Sequence, residues 1–86
     1  MFRITDGKGF HLTFANGWTV SVQFGYGNYC ENYNKKNADE SKNAEIAAWD
    51  EGGTWFDFGD DTVKAHCTAD EVADFIEKVK SFGGAA

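Results

Sequence analysis

A chain of 86 residues with 42% hydrophobic and 16% aromatic content makes one domain, near the lower limit of what a single apolar core sustains without staples. A net charge of −6 argues against direct nucleic-acid or anionic-membrane binding, both of which need a basic footprint. Only two cysteines, Cys30 and Cys67, no run of membrane-spanning length and no signal-peptide order in MFRITDGKGF lead us to expect free thiols in a soluble cytoplasmic protein.

Charge is unevenly spread, because thirteen of the 14 acids lie after residue 30, while Arg3 and Lys8 face only Asp6 before it. Phe2 and Ile4 alternate with polar neighbours ahead of Asp6-Gly7-Lys8-Gly9, which predicts an edge strand. FHLTF and WTVSVQF flank Ala15-Asn16-Gly17 and predict a hairpin. Parity selects its turn. A two-residue Asn-Gly turn would set Phe14 against Thr19 and send the two apolar rows to opposite faces. A three-residue loop pairs Phe14 with Trp18, Leu12 with Val20 and Phe10 with Val22, and asks Gly17 to adopt the left-handed conformation.

Residues 25–43 form the one long connection within a single domain spanning 1–86, and no internal repeat interrupts it. GYGNYCENYN, Gly25 to Asn34, holds all three tyrosines of the chain together with three asparagines. Rigid amphipathic rings mixed with adaptable amides are the composition of binding loops. A lid folded over the sheet and a plain linker are the other readings of the same stretch. As a lid or recognition loop, it would anchor one tyrosine on the sheet and leave another in solvent.

AEIAAWD, Glu51-Gly52-Gly53 and TWFDF predict a second hairpin. A three-residue loop aligns Ala48 with Phe56 and Ile46 with Phe58 toward the core, and sets Trp49 opposite Trp55 on the other face. A two-residue Gly52-Gly53 turn, pairing Trp49 with Phe56, is the alternative register. Gly59-Asp60-Asp61 then turns into a short strand over Thr62–His66, with Val63 and Ala65 inward.

Thr68-Ala69-Asp70-Glu71 is a capping box, and Val72, Phe75, Ile76, Val79 and Phe82 follow at helical spacing. Asp70, Glu71 and Asp74 sit at the positive end of the helix dipole, Lys78 and Lys80 at the negative end, with Gly83-Gly84 as the terminator. The expected fold is α+β: a mostly antiparallel sheet of five or six strands in two hairpin or meander sets, with one C-terminal amphipathic helix packed on it.

Catalytic machinery is hard to assemble from these residues. His66 and Cys67 are adjacent, and neighbouring strand residues point to opposite faces. Two Cys and two His lack metal-ligand spacing, and Asp50, Glu51, Asp57, Asp60 and Asp61 lack the ligand alternation of a calcium loop. Gly25-Tyr26-Gly27 lacks the lysine and helix of a phosphate cradle. We therefore expect no enzyme, no cofactor and no metal. The candidate binding residues are Tyr26, Asn28, Tyr29, Asn32 and Tyr33 in the loop, with Trp49 and Trp55 on the sheet.

GFHLTFANGWTVSVQFGYGNYCEN and DTVKAHCTADEVADFIEKV together resemble small uncharacterised proteins of bacteriophages and other mobile elements. That resemblance implies a bacterial cytoplasm and a counter-defence role exerted by binding a host factor. The expected partner is a protein. Capture of a small ligand or signalling nucleotide, in a homo-oligomer whose loops meet, is the alternative, and mimicry of nucleic acid by the acids of residues 31–77 a further one.

Overall fold

The computed structural model describes residues 1–5, 8–25 and 40–82. Five strands, β1 (Phe2–Ile4), β2 (Gly9–Thr13), β3 (Thr19–Gln23), β4 (Asn43–Trp49) and β5 (Lys64–Thr68), are followed by one helix, α1 (Ala69–Lys80). All strand pairings are antiparallel and the order in the sheet is the order in the chain. The two hairpin sets are thereby fused into one sheet at β3–β4, with Val20 opposite Ala48 and Val22 opposite Ile46. The fold is α+β, with the helix on one face only.

The parity argument for the first hairpin holds. Phe10 faces Val22, Leu12 faces Val20, and the Phe14 N–H donates to the Trp18 carbonyl at 2.9 Å. Gly17 sits at φ 88, where a side chain would be strained. β1 pairs with β2 as an edge strand, Phe2 opposite Leu12 and Ile4 opposite Phe10.

The core lies between this apolar row and α1. Val20, Val22, Ala44, Ile46, Ala48, Cys67, Phe75 and Val79 are buried, and Phe10, Phe14, Trp18, Phe24, Val72, Ile76 and Phe82 pack around them. Burying an aliphatic or aromatic side chain of this size contributes about 1.5–3 kcal/mol, so the helix is held mainly by its stripe.

Its start is the expected capping box: Glu71 N–H donates to Thr68 Oγ1 at 3.2 Å and Thr68 N–H to Glu71 Oε1 at 2.9 Å. Its end differs from expectation. The helix stops at Lys80 with Ser81 as cap, whose hydroxyl donates to the Glu77 carbonyl at 2.8 Å; Gly83 and Gly84 lie outside the described residues. Asn16, in the hairpin turn, donates its Nδ2 to the Val79 carbonyl at 2.9 Å and to those of Lys80 and Phe82 at 3.3 Å, while its Oδ1 accepts from Trp18 N–H. The turn thus closes the far end of the helix.

The second hairpin keeps the three-residue loop but not the strand. Asp50 N–H donates to the Thr54 carbonyl, Trp49 and Trp55 form a bridge, and Phe56 N–H donates to Ala48. After that single bridge the chain leaves the sheet. Ile46 faces Lys64 of β5, not Phe58. The Phe56 and Phe58 rings pack instead on Phe75, at 5.4 and 5.1 Å between centroids, and Phe56 stacks on Phe82 at 6.0 Å. Covering the helix flank leaves both rings partly buried against the core.

The last strand is also displaced, running Lys64–Thr68 in place of Thr62–His66. A register irregularity between Ala44 and Ile46 and a left-handed His66, φ 53, reset its parity. Cys67 becomes the inward residue and Ala65 is exposed. Among the described residues no helix is long and apolar enough to cross a membrane.

Candidate functional site

The helix covers one face of the sheet, and the residues of opposite parity make the other. Register lines up His11, Ser21 and Ala47 across β2, β3 and β4, Gln23 beside Glu45, and Thr19 beside Trp49. Trp55 continues the Trp49 row by its bridge. All of these but Thr19, with Thr5 and Val63, surround a shallow cavity of about 380 Å³.

Its floor is closed although, among the described residues, no helix lies over it. Ala47 is 5% and Ser21 8% exposed, because the taller neighbours lean across them. On one side Thr5 Oγ1 donates to Gln23 Oε1 at 3.0 Å, and Gln23 Nε2 donates to Ser21 Oγ at 3.2 Å. That chain fixes the Gln23 amide and satisfies the buried Ser21 hydroxyl. On the other side stand three rings in contact. His11 meets Trp49 edge-on at 5.1 Å and 85°, and Trp49 meets Trp55 at 4.8 Å and 37°.

Trp49 is half-buried in this stack, whereas Trp55 is 45% exposed. Burial, and secondarily the Arg3 guanidinium, hold the His11 imidazole below its ordinary value of 6.5. At neutral pH the ring is therefore uncharged and offers one donor and one acceptor. Packed rings beside a fixed amide, a hydroxyl and a neutral imidazole can hold a flat or apolar group and orient it by hydrogen bonds.

Sequence reasoning paired Trp49 with Trp55, and the structure brings them together. Tyr26, Asn28, Tyr29, Asn32 and Tyr33, like Cys30, lie outside the described residues, as does the expectation of one anchored and one solvated tyrosine. His11, Ser21, Gln23, Ala47 and Thr5 were missed as members of the site. Alternation already put His11, Ser21 and Gln23 on the polar side of their hairpin, but joining them to the tryptophans required the β3–β4 pairing, for which the sequence carries no local signal.

Among the described residues His11 and Cys67 do not meet. His11 is on the open face and Cys67 faces the core. Cys67 is a free thiol, 1% exposed, and burial pushes its pKa up from the ordinary thiol value. It lies at the edge of a second cavity, about 500 Å³, between α1 and the strand ends, lined mostly by apolar groups such as Val22, Phe24, Val72 and Ile76. Among the described residues no three His, Cys, Asp or Glu side chains gather as a metal centre. No protein-family model matches this chain, nor does any curated protein or solved structure.

Proposed function

We propose that the chain is a protein-interaction module whose recognition surface is the open sheet face, with Trp55 as its anchor and Trp49 as the support beneath. The observation that carries this reading is an indole 45% exposed while tilted against a second one at 4.8 Å. Large exposed rings on a firm base are the residues that dominate interface energy, and exposed aromatic patches mark contact sites. Ala47 and Ser21 make a recess beside the rings for a partner side chain, and Gln23 gives it an oriented amide. The resemblance to small proteins of mobile elements directs the search for the partner to bacterial host factors.

The test is affinity capture from a bacterial lysate with the wild-type chain and with Trp55→Ala. Removing a central anchor costs about 2 kcal/mol or more, roughly a 30-fold loss of affinity. A protein retained by the wild type and lost from the variant supports the reading. Identical capture by both overturns it. A panel of nucleotides and cyclic dinucleotides tested by thermal shift separates this function from nucleotide capture, which would raise the melting temperature.

A further inference from the structure

The two edges of the sheet differ. At the β5 edge Lys64 is exposed, the register is irregular and His66 is left-handed, three features that spoil a strand as a template. The β1 edge keeps a regular register and has no left-handed residue, and its one charged side chain is the exposed Arg3. Met1 and Thr13 exchange both backbone hydrogen bonds, each at 2.9 Å, and Thr5 N–H donates to the Gly9 carbonyl at 3.1 Å. In an antiparallel ladder such pairs alternate, so the backbone of Arg3 also turns inward, to His11. Phe2 and Ile4 then direct their N–H and C=O groups away from β2.

The same two residues carry the exposed apolar side chains of the edge, 77% for Phe2 and 81% for Ile4. Both lie on the helix side of the sheet, where α1 packs against β3, β4 and β5 and does not reach β1. Phe2 is in ring contact with Phe10 at 6.5 Å, so a row of rings runs outward to the edge and ends in solvent. Among the described residues no strand takes up this ladder, and an open ladder demands an extended strand as its occupant.

We propose that this occupant is β1 of a second copy, paired antiparallel about a two-fold axis normal to the sheet, with Phe2 opposite Ile4 of the copy. The register is self-complementary, as an isologous interface requires. It places apolar beside apolar at both rungs and keeps the two helices on one face. The result is a ten-stranded sheet with both Trp49–Trp55 pairs on the other face, offering a partner two sites at once. Arg3 meets Arg3 of the copy on the open side, where like charges repel. The interface is confined to one three-residue strand per copy, smaller than a standard specific contact, so the dimer is weak and concentration-dependent.

Sedimentation equilibrium of the untagged chain, from about 10 μM to 1 mM in low and high salt, tests this. The expected result is a monomer–dimer equilibrium that tightens at high salt as the Arg3 repulsion is screened. Ile4→Lys should weaken it at least tenfold, Arg3→Thr should tighten it, and Trp55→Ala should leave it unchanged. A wild-type chain that stays monomeric at the highest concentration in both salts overturns the proposal. So does a dimer that survives Ile4→Lys or is dispersed by Trp55→Ala.

Discussion

Asn16→Asp is nearly isosteric, yet it reverses the chemistry at the C-terminal end of the helix. The Asn16 amide nitrogen donates to the carbonyls of Val79, Lys80 and Phe82 at 2.9, 3.3 and 3.3 Å, at the helix end where intrahelical donors run out, and Val79 also accepts from Phe82 N–H at 3.1 Å. Two amide hydrogens serve three acceptors, so at most two bonds are lost, each worth about 0.5–1.5 kcal/mol net. An ionised carboxylate beside the negative end of the helix dipole adds a penalty of about 0.3–1 kcal/mol. The expected total is about 2–3 kcal/mol, read as a fall in urea midpoint at unchanged slope. For a domain of this size that is a drop of roughly 10–20 °C in melting temperature. Asn16→Ala adds no charge but removes the Oδ1 acceptor of Trp18 N–H along with the donors, so it should cost about 1.5–4 kcal/mol. An Asp variant as stable as the wild type at neutral pH would refute the placement of this side chain at the helix end.

Gly9→Ala should destabilise by about 2 kcal/mol or more, because a Cβ there would run into the Val22 carbonyl and the Gln23 backbone; urea unfolding reads it, and a neutral substitution would mean that β2 and β3 are farther apart than described. Glu71→Gln keeps an acceptor for Thr68 N–H but removes the titration. The Thr68 backbone N–H first, then its hydroxyl and Lys64, hold the Glu71 carboxyl below its ordinary value of 4.5. A depressed folded pKa gives stability that is present above 4.5 and lost as pH falls through the folded value. Between pH 5 and 3 the variant should therefore lose less stability than the wild type, and parallel curves would contradict the capping box.

Local pattern was sufficient wherever a turn and its flanking rows constrained each other. Ala15-Asn16-Gly17 had to be a three-residue loop to keep Phe14 and Trp18 on one face, and Glu51-Gly52-Gly53 did the same for Trp49 and Trp55. The helix announced both its cap and its stripe. Sequence failed where the deciding contact was remote. Phe56 and Phe58 alternate as a strand does, and only the position of Phe75 and Phe82 reveals that they serve the helix. Gly9 reads as one more turn glycine beside Gly7, although it lies in β2 against the Val22 carbonyl. Asn16 was given a turn role alone, since nothing nearby in sequence marks a helix end 63 residues away. The candidate face was half readable for the same reason: the Trp49–Trp55 pair comes from one hairpin, but its companions His11, Ser21 and Gln23 arrive from another.

The Trp55 face as the contact surface is most directly tested by photo-crosslinking in living bacteria. Benzoylphenylalanine placed at position 55, on the open face, should yield a discrete adduct with a second protein, while the same group at exposed position 74 on the helix should yield none. An adduct from position 74 with none from position 55 would contradict the account.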